Sequence, residues 1–385
     1  MKPARPENTI LIIAGEASGD MHGASLVRAL KRKRPDLRFR GIGGDRMSEA
    51  GVEIVRHVSE MAFLGFFEVL KHLPFIRRVL AEVRNLMESR NPKLVILIDY
   101  PGFNLKIAKE AKKRGIPVVY YISPQVWAWG KGRVKKIAER VDRMLVIFDF
   151  EEPIYRRAGM DVAFVGHPLK DTVRPAVSRS VFFRNAGLDP RRPLLGLVPG
   201  SRKQEIRHLL PEMVKAVGLL RRDIPGLQAV VAVAPTLSDQ VLHPHLSGTE
   251  AIRSVRSQTY EAMAYSDAAL VASGTATLET ALSGTPMVIL YKMSSGSFFL
   301  GKLLVRMENI GLVNIVAGKR IVPELLQKNV TPEKIRAATL PLLTDREHRK
   351  EILRDLKEVA RRLGRPGATE RAADQIVEFL SSRCD

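Results

Sequence analysis

A short turn of small residues, Ser273-Gly274-Thr275, follows the apolar run 268–272 and precedes a sequence typical of a helix start. Free backbone N–H groups and the positive end of the helix dipole point at such a turn, and glycine lets an anion approach closely. Glu279 lies four residues after Thr275, so the two share a helical face. A carboxylate there suits a ribose diol better than bare phosphate. The segment predicts a nucleotide site; the alternative is an ordinary βαβ crossover with a solvated Glu279.

A second turn of this kind, 199–202, follows the apolar run 194–198 and ends in Arg202. A guanidinium can bind phosphate through two parallel hydrogen bonds. The alternative is that Arg202 is a surface residue of a basic helix. The predicted nucleotide-binding residues are Gly200, Ser201, Arg202, Ser273, Gly274, Thr275 and Glu279.

Three polar turns in the first half also follow apolar runs. Asp99 ends the second of these runs, where a carboxylate acts either as a base or as the cap of the next helix. Glu16 and Asp20 in the first turn are rival carboxylates that bind hydroxyls or fix the glycine-rich loop. His22 and His167 are more typical of structural histidines. The third turn, 123–129, contains both tryptophans, which predicts a cleft wall or a lipid-facing rim.

The elements that must position these residues alternate along the chain. Short apolar runs separated by amphipathic stretches predict parallel, doubly wound sheets, and the pattern restarts after residues 168–190. We therefore expect two tandem Rossmann-like α/β domains with a ligand cleft between them, followed by C-terminal helices. The predicted boundaries are 1–170 for an acceptor domain, 171–345 for a nucleotide domain and 346–385 for helices that pack on the first domain or on a partner subunit.

Composition limits the remaining classes. The chain has 385 residues, 45% apolar content and one cysteine, Cys384, which excludes an internal disulfide framework and indicates a reducing compartment. The apolar run after the basic N-terminus is too short for a signal peptide, and no segment reaches the roughly 20 apolar residues of a membrane span. No spacing typical of a metal site is present, so we expect neither metal nor cofactor.

The net charge of +21 predicts a polyanionic partner. An RNA-stacking motif is missing, so we expect no nucleic-acid partner. Residues 63–78 and 297–306 are rich in phenylalanine and leucine and carry cations, which is typical of an interfacial segment on an anionic membrane. Ordinary core packing is the alternative. The predicted membrane-contact residues are Phe63, Phe66, Phe67, Arg77 and Arg78.

Five segments together resemble the lipid A disaccharide synthase family: 14–20, 123–129, 164–168, 199–202 and 272–279. The resemblance covers about residues 9 to 328 and rests most on the Trp-Ala-Trp and Gly-Glu-Ala-Ser-Gly-Asp loops. It implies a GT-B fold and an inverting glycosyltransferase that joins UDP-2,3-diacylglucosamine to 2,3-diacylglucosamine 1-phosphate (lipid X) through a β-1,6 bond, releasing UDP. Two positions depart from the family pattern: Gly102 replaces a carboxylate, and Val313 replaces a proline.

The resemblance favours Asp99 as the general base and Arg202 as the group that meets the leaving phosphate. It implies a cytoplasmic protein, peripheral on the inner face of the inner membrane, and leaves a homodimer open. The alternatives are another UDP-sugar enzyme of this fold, such as an epimerase, or a non-catalytic basic protein that binds membrane or RNA. The acceptor-binding residues that it implies are Gly15, Glu16, Ser18, Gly19, Asp20, Asn104 and Trp127.

Overall fold

A computed structural model describes residues 8–61, 73–129, 131–234, 237–246, 252–292 and 309–383. The chain forms two compact units. The first combines residues 1–168 with 364–385, and the second comprises residues 169–363.

Each unit is built on one parallel sheet. The first has the strand order β3-β2-β1-β4-β5-β6-β7 and the second β10-β9-β8-β11-β12-β13. The strands are β1 (Thr9–Ala14), β2 (Arg38–Gly43), β3 (Val52–His57), β4 (Leu94–Ile98), β5 (Val118–Tyr121), β6 (Arg143–Val146), β7 (Asp161–Phe164), β8 (Leu194–Val198), β9 (Gln228–Val233), β10 (Ile252–Arg256), β11 (Ala268–Ala272), β12 (Met287–Tyr291) and β13 (Glu324–Leu326).

Helices connect the strands, as parallel pairing requires. They are α1 (Ala17–Lys33), α2 (Asp45–Glu49), α3 (Leu73–Arg90), α4 (Pro101–Lys113), α5 (Val126–Trp129), α6 (Val134–Ala138), α7 (Glu152–Arg156), α8 (Leu169–Thr172), α9 (Arg179–Asn185), α10 (Lys203–Asp223), α11 (Asp239–Leu246), α12 (Thr259–Ala264), α13 (Ala276–Leu282), α14 (Leu312–Ala317), α15 (Pro332–Thr344), α16 (Arg346–Arg362) and α17 (Ala368–Ser381).

The burial of the central strands explains why the sequence pattern predicts them. Every residue of β1, β4, β8 and β11 is buried, because helices cover both faces of each sheet. Since all strands of a sheet run in one direction, the turns that follow β1, β4 and β5 lie at one edge of the first sheet. The turns after β8 and β11 share the corresponding edge of the second sheet.

The two C-terminal helices belong to different units, so the structure differs from the expected single block 346–385. Helix α16 packs on α13, α14 and α15, whereas α17 packs on α1 in the first unit. The chain changes units at Gly364, where the φ angle of +85° ends the helical run. The carboxylates of Glu370 and Asp374 on α17 pair with Arg32 and Lys33 at the end of α1. The predicted fold class, two parallel-sheet α/β halves with helices at the C-terminus, is confirmed.

Candidate active site

Asp99 lies directly after β4 in a strained backbone. Its φ angle is +45°, and that of Tyr100 is +49°; two successive left-handed residues other than glycine are unusual and occur mostly at functional sites. The Asp99 carbonyl oxygen accepts hydrogen bonds from the Tyr120 hydroxyl at 2.5 Å and from Asn104 Nδ2 at 2.7 Å. These two donors hold the backbone of the turn from which the Asp99 side chain extends.

The first glycine-rich turn packs directly against this strained turn. A Cβ atom built on Gly15 would come within 2.1 Å of Cδ1 of Tyr100, so only glycine fits beneath the tyrosine ring. Glu16 and Ser18 nearby are exposed, and a Cβ atom built on Gly19 would come within 3.2 Å of Cβ of Ala14 in β1. The glycines therefore serve close packing, while Glu16 and Ser18 remain accessible.

The pKa of Asp99 is raised to about 6, first by burial and second by the negative charge of Glu16. A carboxyl with this pKa is largely ionised at neutral pH and is a stronger base than an exposed aspartate. That balance suits general base catalysis.

Two predicted acceptor-binding residues are instead structural. Both carboxylate oxygens of Asp20 accept backbone N–H bonds: Oδ1 from Gly44 at 2.6 Å and Met47 at 3.1 Å, and Oδ2 from Arg46 at 3.2 Å. Asp20 therefore caps α2, and its carboxylate already accepts three backbone hydrogen bonds within the protein. Asn104 is fully buried, and its amide nitrogen bonds the carbonyls of Ile98 and Asp99, so it positions the turn.

Trp127 is half-buried beside a carboxyl that the sequence analysis missed. Its Nε1 donates to Oε1 of Glu151 at 3.0 Å, and its ring meets Phe150 edge-on. Glu151 is only 1% exposed, and burial raises its pKa to about 7, with Ser123 and Trp127 opposing that shift. No spacing in the sequence indicates this pair, because the two residues follow different strands.

His22 and His167 are both electrically neutral at physiological pH. Burial lowers the pKa of His22 to about 4. Burial and the nearby His22 lower the pKa of His167 to about 3. These values fit the structural interpretation of both histidines.

In the second unit, the turn before α10 already holds a carboxylate. Oε2 of Glu205 accepts the backbone N–H groups of Ser201 at 3.0 Å and Arg202 at 3.2 Å, and Oε1 lies 3.4 Å from Arg202 Nη1. Gly200 has a φ angle of +102°, and a Cβ there would come within 2.1 Å of Glu205 Oε2. A side chain of the protein thus occupies the position in which a phosphate was predicted to bind.

The Ser273-Gly274-Thr275 turn follows β11 and leads into α13, as predicted. Gly274 has a φ angle of +146° and open space on its side-chain face. Oε1 of Glu279 accepts a hydrogen bond from the Tyr260 hydroxyl at 3.2 Å, and burial raises the pKa of Glu279. Because β8 and β11 are neighbours in the sheet, the two predicted nucleotide turns lie at the same edge.

Part of the predicted membrane segment can be described. Arg77 and Arg78 are exposed on α3, whose opposite face carries the buried Ile76 and Val79. Phe63, Phe66 and Phe67, together with 297–306, lie outside the described residues. Among the helices that the structure describes, none is long and apolar enough to cross a membrane.

Within the described ranges, no group of three or more His, Cys, Asp or Glu side chains is arranged to hold a metal ion.

Solved structures with the same fold define the class. The UDP-GlcNAc 2-epimerase from Neisseria meningitidis aligns with a TM-score of 0.64 at 11% identity, covering 96% of this chain and 100% of that one. The calicheamicin glycosyltransferase aligns with a TM-score of 0.62 at 19% identity, covering 98% and 99%. The fold is therefore that of GT-B glycosyltransferases and related UDP-sugar epimerases.

Sequence similarity is much more specific. The family model of lipid-A-disaccharide synthetase matches residues 10–379. A lipid-A-disaccharide synthase from Syntrophus aciditrophicus is 49% identical over 373 residues, covering 96% of this chain and 97% of the relative. One from Geobacter metallireducens is 48% identical over 380 residues, covering 98% and 99%. The chain belongs to the lipid-A-disaccharide synthase family, and the prediction of a glycosyltransferase of lipid A biosynthesis is confirmed.

Proposed function

We propose that this chain transfers the diacylglucosamine of UDP-2,3-diacylglucosamine to the 6-hydroxyl of 2,3-diacylglucosamine 1-phosphate. The products are the β-1,6-linked disaccharide 1-phosphate and UDP. Family membership supports the reaction class. The observation that carries the assignment of the base is the half-buried Asp99 in its strained turn, with its pKa raised to about 6.

In this proposal the Asp99 carboxylate takes the proton of the acceptor 6-hydroxyl. The hydroxyl oxygen forms a bond to the anomeric carbon as the bond from that carbon to the UDP oxygen breaks. The bonding electron pair leaves with UDP, and attack from the opposite face inverts the anomeric configuration. The negative charge of Glu16 raises the pKa of Asp99 and so makes Asp99 more basic.

The diphosphate is assigned to the second unit. Arg202 and the backbone N–H groups of Ser201 and Arg202 are the donors for the leaving phosphate, and in the structure the Glu205 carboxylate accepts from the same groups. Binding of UDP then requires Glu205 to move aside. Ser273, Gly274 and Thr275 contribute to the same anion site, and Glu279 with Tyr260 receives the ribose.

We also propose that the protein acts on the inner face of the inner membrane as a peripheral enzyme. Both substrates carry acyl chains, so the enzyme needs access to the lipid surface. The exposed Arg77 and Arg78 and the net charge of +21 support attraction to anionic headgroups. The predicted membrane-contact residues Phe63, Phe66 and Phe67 would supply the apolar contact with the lipid surface.

The test is incubation of the purified protein with both substrates in detergent micelles, followed by mass spectrometry. Formation of disaccharide 1-phosphate and UDP in equal amounts is expected. Turnover of the UDP-sugar without acceptor would instead indicate an epimerase or hydrolase. UDP binding without any turnover would indicate a non-catalytic binding protein. Either of these two outcomes would contradict the proposal.

A further inference from the structure

A cavity of about 240 Å³ lies beside Asp99 in the first unit. Its walls come from the start of α4, the turn before α5, and α6. Most of the wall is apolar, whereas a carboxyl and a guanidinium are its charged groups. The residues that matter for its chemistry are Leu105, Pro124, Val126, Ile137, Asp99 and Arg133.

The size and chemistry of this cavity fit a hydrocarbon. An apolar cavity of roughly 150 Å³ is enough to bind benzene, and this one is larger. Ile137 is fully buried and Val126 is 3% exposed, so the floor of the cavity belongs to the protein core. An apolar pocket with a few convergent polar groups is the usual form of a small-molecule site.

The two charged groups distinguish this cavity from a packing defect. Asp99 is the proposed base, so the reacting hydroxyl of the acceptor must come to this point. Arg133 is exposed, and a guanidinium suits a phosphate monoester. The acceptor carries both a reacting hydroxyl and a phosphate, whereas the donor's phosphates are assigned to the second unit.

The turn beside the cavity also contacts Met61, which precedes the predicted membrane segment in the sequence. The hydroxyl of Tyr100, the residue after Asp99, donates to the carbonyl oxygen of Met61 at 3.1 Å. Residues 63–78, which the sequence assigns to the membrane surface, begin two residues after Met61. Met61, the last described residue before that segment, therefore lies against the turn that carries Asp99.

We infer that the cavity beside Asp99 binds an acyl chain of the acceptor, that Leu105 limits the chain length accepted, and that Arg133 meets the acceptor's phosphate. This inference rests on the proposed function and assigns a subsite within it. Leu105 is half-buried, so it can be changed with less harm to the core than the fully buried Ile137.

The experiment compares Leu105→Trp, which fills the cavity, with Leu105→Ala, which enlarges it. The probes are acceptors with butanoyl, decanoyl and tetradecanoyl chains, each assayed with one fixed donor, and donors with the same three chain lengths, each assayed with one fixed acceptor. Each methylene that no longer fits should cost about fourfold in kcat/KM. We expect Leu105→Trp to lose roughly tenfold or more with the tetradecanoyl acceptor and about twofold or less with the butanoyl acceptor. Leu105→Ala should shift the preference toward longer chains.

Lys106→Trp is the matched control, because it adds the same bulk at the next, exposed position of α4. It should leave the chain-length profile unchanged. For the phosphate, Arg133→Ala should raise KM roughly tenfold for the acceptor 1-phosphate but not for the same acceptor without phosphate. Lys136→Ala, an exposed cation on α6 that does not line the cavity, is the control for that variant.

Three results would overturn the inference while disaccharide is still formed. The chain-length profile is the same in both Leu105 variants and the wild type, or it follows the donor's chains instead of the acceptor's, or every acceptor loses activity equally. In the third case Leu105 only supports the fold, which a lowered Tm identifies. If the wild type forms no disaccharide from any acceptor, the proposed function fails, and the inference fails with it.

Discussion

The carboxyl-end edges of the two sheets share one structural feature, a side chain that covers a glycine, but the chemistry of that side chain differs. At each edge a side chain lies directly over a glycine of the turn: the Tyr100 ring over Gly15 in the first unit, and the Glu205 carboxylate over Gly200 in the second. An aromatic ring excludes water from its surroundings, whereas a carboxylate occupies backbone N–H groups that can also bind a phosphate. The covering side chain, more than the turn itself, sets the chemistry of each edge.

The ionisable groups at the two sheet edges also differ. At the first edge, burial raises the pKa of Asp99 to about 6 and that of Glu151 to about 7, so both carboxyls can exchange protons near neutral pH. At the second edge, the Arg202 side chain is 64% exposed and pairs with Glu205. We conclude that the first edge is suited to proton transfer and the second to anion binding.

Asp99→Asn should have the largest effect. Loss of a positioned general base lowers turnover by roughly 10²–10⁴-fold. Asparagine tolerates a left-handed backbone as well as aspartate does, so the turn should be retained. Steady-state assays of disaccharide formation measure the effect, with the exposed Asp45→Asn as the control. Near-normal turnover in Asp99→Asn would transfer the role of base to another group, Glu16 first.

Arg202→Ala should be next in size. Hydrogen bonds to charged groups contribute about 1.5–3 kcal/mol, which corresponds to roughly 10–100-fold. Both kcat and UDP affinity should fall, because the guanidinium binds charge that grows as UDP leaves. Arg207→Ala is the control, since it removes a cation from the same helix, one turn further on. Equal losses in both variants would mean that only the general positive charge matters.

Glu205→Gln should change UDP affinity in the opposite direction. The amide oxygen can still accept the capping hydrogen bonds, but it lacks the negative charge that competes with phosphate. Exposed ion pairs contribute about 0.2–1 kcal/mol, so UDP should bind up to roughly fivefold more tightly. Calorimetric titration measures this. Weaker binding would mean that Glu205 supports the nucleotide site instead of competing for it.

A smaller effect is a shift in the pH profile. Because Asp99 must be ionised to act as a base, kcat/KM of the wild type should rise with pH through about 6. Glu16 raises the pKa of Asp99, so Glu16→Gln should lower that pKa and move the acidic limb to lower pH. An unchanged limb would mean that the titration observed does not belong to Asp99.

The smallest expected effect is that of excess EDTA. In the proposed mechanism, two helix N-termini and Arg202 offer the leaving group roughly two positive charges, comparable to one divalent metal ion. Turnover should therefore persist in EDTA. A loss that Mg²⁺ or Mn²⁺ restores would contradict the role given to Arg202 and the helix ends.

The sequence predicted the central strands of the sheets better than the peripheral strands. The buried strands β8 and β11 have the bounds of the apolar runs 194–198 and 268–272, because a continuous apolar run of this length fits a strand covered on both faces. The peripheral strands β2 and β3 were missed, since Arg38, Arg40 and Glu53 interrupt their apolar pattern.

The candidate site was predictable to a different extent at each residue. The capping role of Glu205 could be predicted from the sequence, because glutamate three residues after the N-cap is the signature of a capping box. The capping role of Asp20 and the Trp127–Glu151 pair depend on contacts across 24 or more residues, which one sequence does not specify. The strained turn at Asp99 and Tyr100 likewise packs against Gly15, which is far away in the sequence.

The most direct test of the division between the two edges is calorimetric titration of Asp99→Asn with UDP. If proton transfer belongs to the first edge and anion binding to the second, this variant binds UDP within about twofold of the wild type, although its turnover is lost. A loss of UDP affinity of roughly tenfold or more, as large as that of Arg202→Ala, would contradict the account.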